Sequence, residues 1–352
     1  MKDSKIEWCD HTFNPWIGCT KISPGCENCY AEARDKRFTD GSHWGPRAPR
    51  RRTSAANWMQ PIKWNRDAVG ISHAICPKCG WQGQYQDVCP TPDCLTFGSE
   101  MEKRPPRVFC ASLSDWLDDK VPIEWFADLL SLIYFTPNLD WLLLTKRPEN
   151  FMSRIFEAWN DASMSAPVYS MSKDWDRGTA PQNVWIGTTV EDQERADQRI
   201  PELLKIPARI RFLSCEPLLG PIEFGSTDFF DCMGHPMIQW VICGGESGQK
   251  ARPNMHPEWP RSLRDQCKDA GVPFLFKQWG EWKPCAGFGP TAPGIAKGRL
   301  IRFSDGYCLE RVGKQAAGRL LTGIEHNQFP TGIRQETHAQ NAPSNKASSN
   351  TK

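Results

Sequence analysis

Six short apolar runs recur between residues 108 and 276, and each gives way abruptly to polar residues. Val108-Phe109-Cys110-Ala111 runs into Ser112, Ser114 and Asp115, and Trp141 to Leu144 into Thr145, Lys146 and Arg147. Val184-Trp185-Ile186-Gly187 precedes Thr188, Thr189 and Glu191, and Ile210 to Leu213 precedes Ser214, Cys215 and Glu216. Trp240 to Cys243 leads to Gly244, Gly245, Glu246 and Ser247, and Pro273 to Phe276 to Lys277, Gln278 and Trp279. Runs of this length, apolar without alternation, read as strands buried on both faces. Between them the apolar spacing turns helical. Pro122 to Phe135 sets Ile123, Phe126, Leu130 and Ile133 on one face, and Glu191 to Leu204 sets Ala196, Ile200 and Leu203. Trp259 to Ala270 carries Leu263 and Cys267, with Gly271 placed to cap its C-terminus. Strands alternating with helices predict parallel strands joined by right-handed crossovers.

With Phe13 to Cys19 as a first strand the pattern has seven, which fits a complete or partial (β/α) barrel of the α/β class. Active-site residues of such barrels come from the C-terminal ends of the strands. A strand that gives way to a polar loop is ordinary; a carboxylate or cation at nearly every end exceeds that expectation. The barrel is assigned to residues 1–68 and 105–333, with an insertion at 69–104 and a disordered tail at 334–352, where Thr, Ala, Asn and Ser dominate. The stretches 160–182 and 284–298 read as long loops, and 306–329 as a small terminal helix.

Composition narrows the setting. The net charge of +2 sets up no global field towards nucleic acid or membrane. No apolar stretch is long enough for a membrane helix, and Met1 to Lys5 lead into Glu7 without a signal-peptide core. The chain reads as cytoplasmic, where 15 cysteines do not suit a disulfide framework and clustered ones point to metal. Most of the 16 tryptophans are expected in the core.

The insertion carries Cys76, Cys79, Cys89 and Cys94 at the spacing C-x2-C-x9-C-x4-C, the signature of a zinc ribbon. Four thiolates close a tetrahedral shell, so this zinc is expected to be structural and to supply the folding energy of a module too small for its own core. Upstream, Arg47, Arg50, Arg51, Arg52, Lys63 and Arg66 are interleaved with Trp44, Trp58 and Trp64. Such a stretch either tracks phosphates and stacks bases or is a solvated surface loop.

Cys19, Cys26 and Cys29 follow the first predicted strand at the expected functional end. Three thiolates on one loop can hold a 4Fe–4S cluster with one iron left for S-adenosylmethionine, or a zinc ion with Cys9 or His11 as fourth ligand. The spacing C-x6-C-x2-C departs from the usual radical-enzyme C-x3-C-x2-C. Ser112, Ser114, Asp115, Glu216, Gly244, Gly245 and Glu246 are candidates to position the cofactor, and Lys146, Arg147 and Lys277 to meet an anionic substrate such as a nucleotide or nucleic acid. No phosphate-binding or nucleotide-binding glycine fingerprint, zinc-protease or serine-hydrolase motif occurs.

In combination, the run Ile6 to Ala31, Ser112-Leu113-Ser114-Asp115, Leu144 to Pro148, Ser214 to Gly220, Gly244 to Gly248 and Phe276 to Gly280 resemble the three-cysteine-motif phage protein family of unknown function. The resemblance covers most of Ile6 to Pro330 and implies a radical-SAM-like barrel with an iron–sulfur centre on Cys19, Cys26 and Cys29, sometimes with a separate partner protein encoded nearby. It implies no substrate and does not reach the inserted ribbon. Two other readings stand beside the radical enzyme. One is a non-catalytic, zinc-containing nucleic-acid-binding protein; the other is a metal-dependent hydrolase using the carboxylate rim, for which the 7 histidines are few.

Overall fold

The computed structural model describes residues 1–330 except 71–72, 162–164, 232–233, 235, 249, 253–254 and 286–299. Seven strands form its centre: β1 (His11–Phe13), β2 (Arg107–Cys110), β3 (Asp140–Thr145), β4 (Val184–Thr189), β5 (Ile210–Cys215), β6 (Trp240–Gly244) and β7 (Phe274–Gln278). They lie in sequence order in one sheet, every neighbouring pair parallel. The sheet curls, but no pairing joins β7 back to β1 among the described residues, so it is a half-barrel.

Helices fill the crossovers. The first holds α1 (Tyr30–Thr39) and α2 (Ala55–Asp67), the second α3 (Ile123–Tyr134), and the third α4 (Phe151–Asn160) and α5 (Ala166–Asp176). Helix α6 (Gln193–Leu204) follows β4 and α7 (Glu258–Asp269) follows β6. Helix α3 shows why these segments are helical: Phe126, Leu129, Leu130 and Ile133 recur at three- and four-residue steps, and all are buried against the sheet.

Strand side chains alternate between two cores. Val108 and Cys110 face the helices with Leu143, Ile186, Leu213 and Val241, whereas Phe109 faces the hollow with Leu142, Trp185, Phe212 and Ile242. A closed barrel fills its hollow with its own strand side chains. Here both ends of the described chain help to fill it. Trp8 stands 4.4 Å from Phe109 and edge-on to Trp240. Phe329 packs 5.2 Å from Trp240, whose indole N–H donates to Gln328 O at 2.9 Å.

The first strand is shorter than expected. It ends at Phe13, and Trp16–Ile17 turns away to pair antiparallel with Arg51–Arg52. The stretch 160–182 is not one long loop: α5 occupies residues 166–176 of it and buries Val168, Met171 and Trp175 at helical spacing. Residues 306–329 hold a strand (Cys308–Arg311), a four-residue helix (Lys314–Ala317) and a small hairpin (Leu320–Leu321 with Ile324–Glu325), in place of one terminal helix. The loop expected at 284–298 lies outside the described residues from 286 onward, as does the whole of the tail expected to be disordered at 334–352. Among the described residues no helix is long and apolar enough to cross a membrane.

Candidate metal centres

Asn14 carries the chain from β1 into the three-cysteine loop. Its Oδ1 accepts from Leu113 N at 2.7 Å and Ser112 Oγ at 3.2 Å, and Gly18 N donates to Leu113 O. Gly18 has φ +112°, and a Cβ there would lie 2.4 Å from His43 O, so the loop closes this tightly only with glycine. A 3-10 turn at Pro24–Cys26 follows, and Cys29 stands at the N-terminus of α1.

Three rim carboxylates fasten this loop across the C-terminal ends of the strands. Asp115, beyond β2, accepts from Leu117 N, Thr145 Oγ1, Lys146 N and Arg147 Nη1. Arg147 passes the contact on, donating to Thr20 O at 2.6 Å and reaching Cys19 Sγ at 3.6 Å. Glu191, beyond β4 and fully buried, accepts from Ser23 Oγ at 2.6 Å and from Arg199 Nη1 at 2.7 Å. Gly25 packs on the same carboxylate so closely that a Cβ would lie 2.4 Å from Glu191 Oε1. Glu246, beyond β6, accepts from Asn28 Nδ2 at 3.1 Å and is gripped by Arg252, which also holds Glu27 at 2.7 Å and Pro24 O at 3.0 Å. The Tyr30 hydroxyl donates to Ser112 O, and Ser114 Oγ donates to Trp16 O at 3.2 Å.

Burial pushes the Cys19 thiol up to about 12, with Asp115 acting in the same direction and Arg147 against it. Burial also raises Cys29, opposed by the Glu32 and Ala31 amides at the start of α1 and by the Lys146 ammonium. Both thiols therefore remain protonated near neutrality until a cation displaces the proton.

The fourth rim carboxylate is used differently. Glu216 pairs with Lys277 at 3.1 Å. Burial disfavours the Lys277 charge, but Glu216 and then Glu7 outweigh it, so the lysine pKa is raised and the group stays cationic. Glu7 Oε2 is buried without a hydrogen-bond partner among the described residues. Lys146 has no ion pair among the described residues, whereas Arg147 is committed to Asp115 and the loop. The glycines at the end of β6 serve close packing. A Cβ at Gly244 would lie 2.5 Å from Glu216 Oε1, and one at Gly245 would lie 2.1 Å from Trp279 O.

The second cysteine group lies at the other end of the half-barrel. Cys76, Cys79, Cys89 and Cys94 bring four sulfurs within 4.8 Å of one another, an arrangement that can hold a metal ion. Gly80, at φ +74°, donates its N–H to Cys76 O, and Asp93, at φ +62°, turns the chain into Cys94. The Thr96 hydroxyl and amide lower the Cys94 thiol, which favours a ligating thiolate. The strands His73–Ile75, Gln82–Gln84 and Glu102–Arg104 form a three-stranded antiparallel sheet beneath the group. This sheet docks beside the starts of β1 and β2. Asp10 receives Arg104 through both oxygens at 2.7 and 2.8 Å and Arg107 N at 2.7 Å, and Arg107 Nη2 donates to Gln82 Oε1.

Among the described residues, no group of ligand atoms drawn within 4.8 Å contains Cys19, Cys26, Cys29, Cys9 or His11. Cys9 is buried beside Trp8 in the hollow, and His11 stacks on Trp64 at 4.5 Å on the helix-covered side. The basic stretch does not form one interleaved surface. Arg50 is fully buried against Asp118 at 2.8 Å, Arg52 holds Asp128 at 2.6 Å and lies over Trp58, and Trp64 is buried. Sequence reasoning named the rim carboxylates but not their partners Ser23, Asn28, Arg199 and Arg252. No local signal links residues so far apart in the chain.

The family model described as "Protein of unknown function (DUF5131)" matches residues 3–330. No curated protein and no solved structure matches the chain. The match spans nearly the whole sequence, both cysteine groups included, and the chain belongs to the DUF5131 family.

Proposed function

We propose that this protein is a radical S-adenosylmethionine enzyme whose 4Fe–4S cluster is held by Cys19, Cys26 and Cys29. The observation that carries the reading is the clamping of the three-thiol loop over the C-terminal mouth of a parallel half-barrel by Asp115, Glu191 and Glu246. The donor set fits. The three thiols are free and lie on one loop, the number of ligands a 4Fe–4S cluster uses when one iron is left open. When bound, such a cluster supplies an open iron to S-adenosylmethionine and the electron that cleaves it to a 5′-deoxyadenosyl radical.

The chain's own residues then have distinct tasks. Arg147 donates towards Cys19 Sγ, and Ser23 Oγ lies 3.6 Å from Cys26 Sγ; such contacts tune a cluster through its sulfurs. Ser112 and Ser114, with Gly244 and Gly245, border the mouth in which the cofactor would lie. Asp115 and Glu246, whose oxygens are taken up by the loop and its arginines, act as positioning residues. Lys146, with no ion pair among the described residues, is the cation left to meet a nucleotide-like or other anionic substrate, whereas Lys277 would reach one only by sharing its charge with Glu216 and Glu7. Because Asp115, Glu191 and Glu246 are occupied within the protein, a metal-dependent hydrolase would lack a free carboxylate set.

In the same reading the second cysteine group is a structural zinc ribbon. Apart from Lys78 and Lys103 its charged residues are Asp87, Asp93, Glu100, Glu102 and the Asp10-bound Arg104, which suits a brace better than a nucleic-acid surface. A phage role, a cytoplasmic setting and a partner encoded nearby belong to this proposal. Its test is turnover: protein reduced without oxygen and given S-adenosylmethionine should release 5′-deoxyadenosine, and the Cys26→Ala protein should not. Equal release by both proteins would refute the ligand assignment.

A further inference from the structure

Near the C-terminal end of the described chain, a small antiparallel sheet sets Trp282–Pro284 against Cys308–Arg311. The register pairs Trp282 with Arg311, Lys283 with Glu310 and Pro284 with Leu309. One step further the ladder continues, because Cys285 N donates to Cys308 O at 3.0 Å. Directly opposed residues of such a pair have Cα atoms about 5.5 Å apart and project on the same face of the sheet. That lies within the Cα separation of roughly 4.4–6.8 Å that a disulfide spans. Both thiols are free, Cys308 buried and Cys285 partly exposed.

We propose that Cys285 and Cys308 form a reversible dithiol–disulfide site. Another register-paired couple of cysteines among the described residues makes the contrast. Cys215 lies opposite Cys243 in the main sheet, but both are wholly buried under α7, where no oxidant reaches. Cys285 is open to a small molecule and has its partner across the ladder. Burial pushes its thiol up to about 12, the adjoining Cys308 thiol adding to the rise, so formation is expected to be slow.

The pair adjoins the rim. Glu281, just before the strand, receives Gly248 N at 3.0 Å and donates its own N–H to Glu246 O at 3.1 Å, and the Trp282 indole donates to Ala251 O. A bond at Cys285 would therefore fasten the sheet that backs the Glu246–Arg252 arm of the three-cysteine loop. The chemistry needs a disulfide oxidant such as glutathione disulfide. The thiolate of Cys285 attacks one sulfur, the S–S bond breaks, and a glutathione thiolate leaves and takes up a proton. Cys308, losing its own proton, attacks the mixed disulfide and releases the second glutathione. The two cysteines lose two electrons and glutathione disulfide gains two.

The experiment equilibrates full-length, metal-loaded protein with graded ratios of oxidised to reduced glutathione without oxygen, blocks remaining thiols, and maps tryptic peptides by mass spectrometry. Cys285 and Cys308 should lose reactivity together over one transition, with a peptide linked through both, and Cys308→Ser should accumulate glutathione on Cys285. Glutathione accumulating on Cys285 of the unaltered protein while Cys308 remains free would overturn the proposal. So would both thiols remaining reactive at every ratio. The unaltered protein alone decides if the variant does not fold.

Discussion

Ser23 Oγ lies 2.6 Å from Glu191 Oε1, so the middle of the three-cysteine loop is tied to the end of a strand 168 residues further along the chain. Glu191 itself is fully buried and ion-paired to Arg199. A hydrogen bond to a charged acceptor contributes about 1.5–3 kcal/mol. Ser23→Ala is therefore expected to cost about 2 kcal/mol in urea unfolding and to speed metal loss from the loop. Glu191→Ala, which strands Arg199, should cost about 3–5 kcal/mol.

The Arg50–Asp118 pair is sealed, neither side chain reaching solvent, and Arg50 also donates to His43 O, Gly45 O, Ala48 O and Thr20 Oγ1. Removing one partner leaves a buried charge. Asp118→Ala is expected to destabilise by about 3–5 kcal/mol, and Arg50→Met with Asp118→Leu together by clearly less. Chemical denaturation of the single and double variants, read as a double-mutant cycle, checks this.

Half of the fold was legible because it is written locally. Strands β2 to β7 announce themselves as apolar runs of four or more residues, and α3, α6 and α7 as apolar residues at three- and four-residue steps. Helix α5 was hidden because serine and aspartate dilute its apolar stripe, and β1 because three residues carry no period. Openness of the sheet was not legible either. It depends on Trp8 and Phe329 filling the hollow from opposite ends of the chain. The cysteine groups and the rim carboxylates could be read as residue types. What the carboxylates do could not, since Glu246 meets Asn28 across 218 residues.

Stability should fall on acidification through the junction of the small cysteine-bearing sheet and β1. Burial, against Asp10, holds His73 down at about 4 from the ordinary 6.5 of a histidine. Its neutral form is favoured on folding, so its contribution is complete above 6.5 and is lost as pH falls towards 4, on the order of 2 kcal/mol. Burial acts against the Asp10 carboxylate, but Arg104 outweighs it and holds the pKa well below 3.8. That contribution is full above its unfolded pKa and lost only in stronger acid. Urea unfolding at stepped pH checks both, and His73→Phe should flatten the upper step alone.

Chelating the metal from Cys76, Cys79, Cys89 and Cys94 should expose residues 73–104 to protease while the half-barrel retains its helical circular dichroism. A metal held by the four thiols would add folding energy only to the sheet around it. Loss of the whole fold on chelation would mean that this sheet is part of the barrel's core.

The central claim, that the clamped loop holds a 4Fe–4S cluster, is tested most directly by metal and sulfide content together with EPR, on protein purified and reconstituted without oxygen. The account predicts about four irons, four sulfides and one zinc per chain, with an EPR signal of the reduced protein that shifts when S-adenosylmethionine is added. About two zincs and no iron after reconstitution would contradict it.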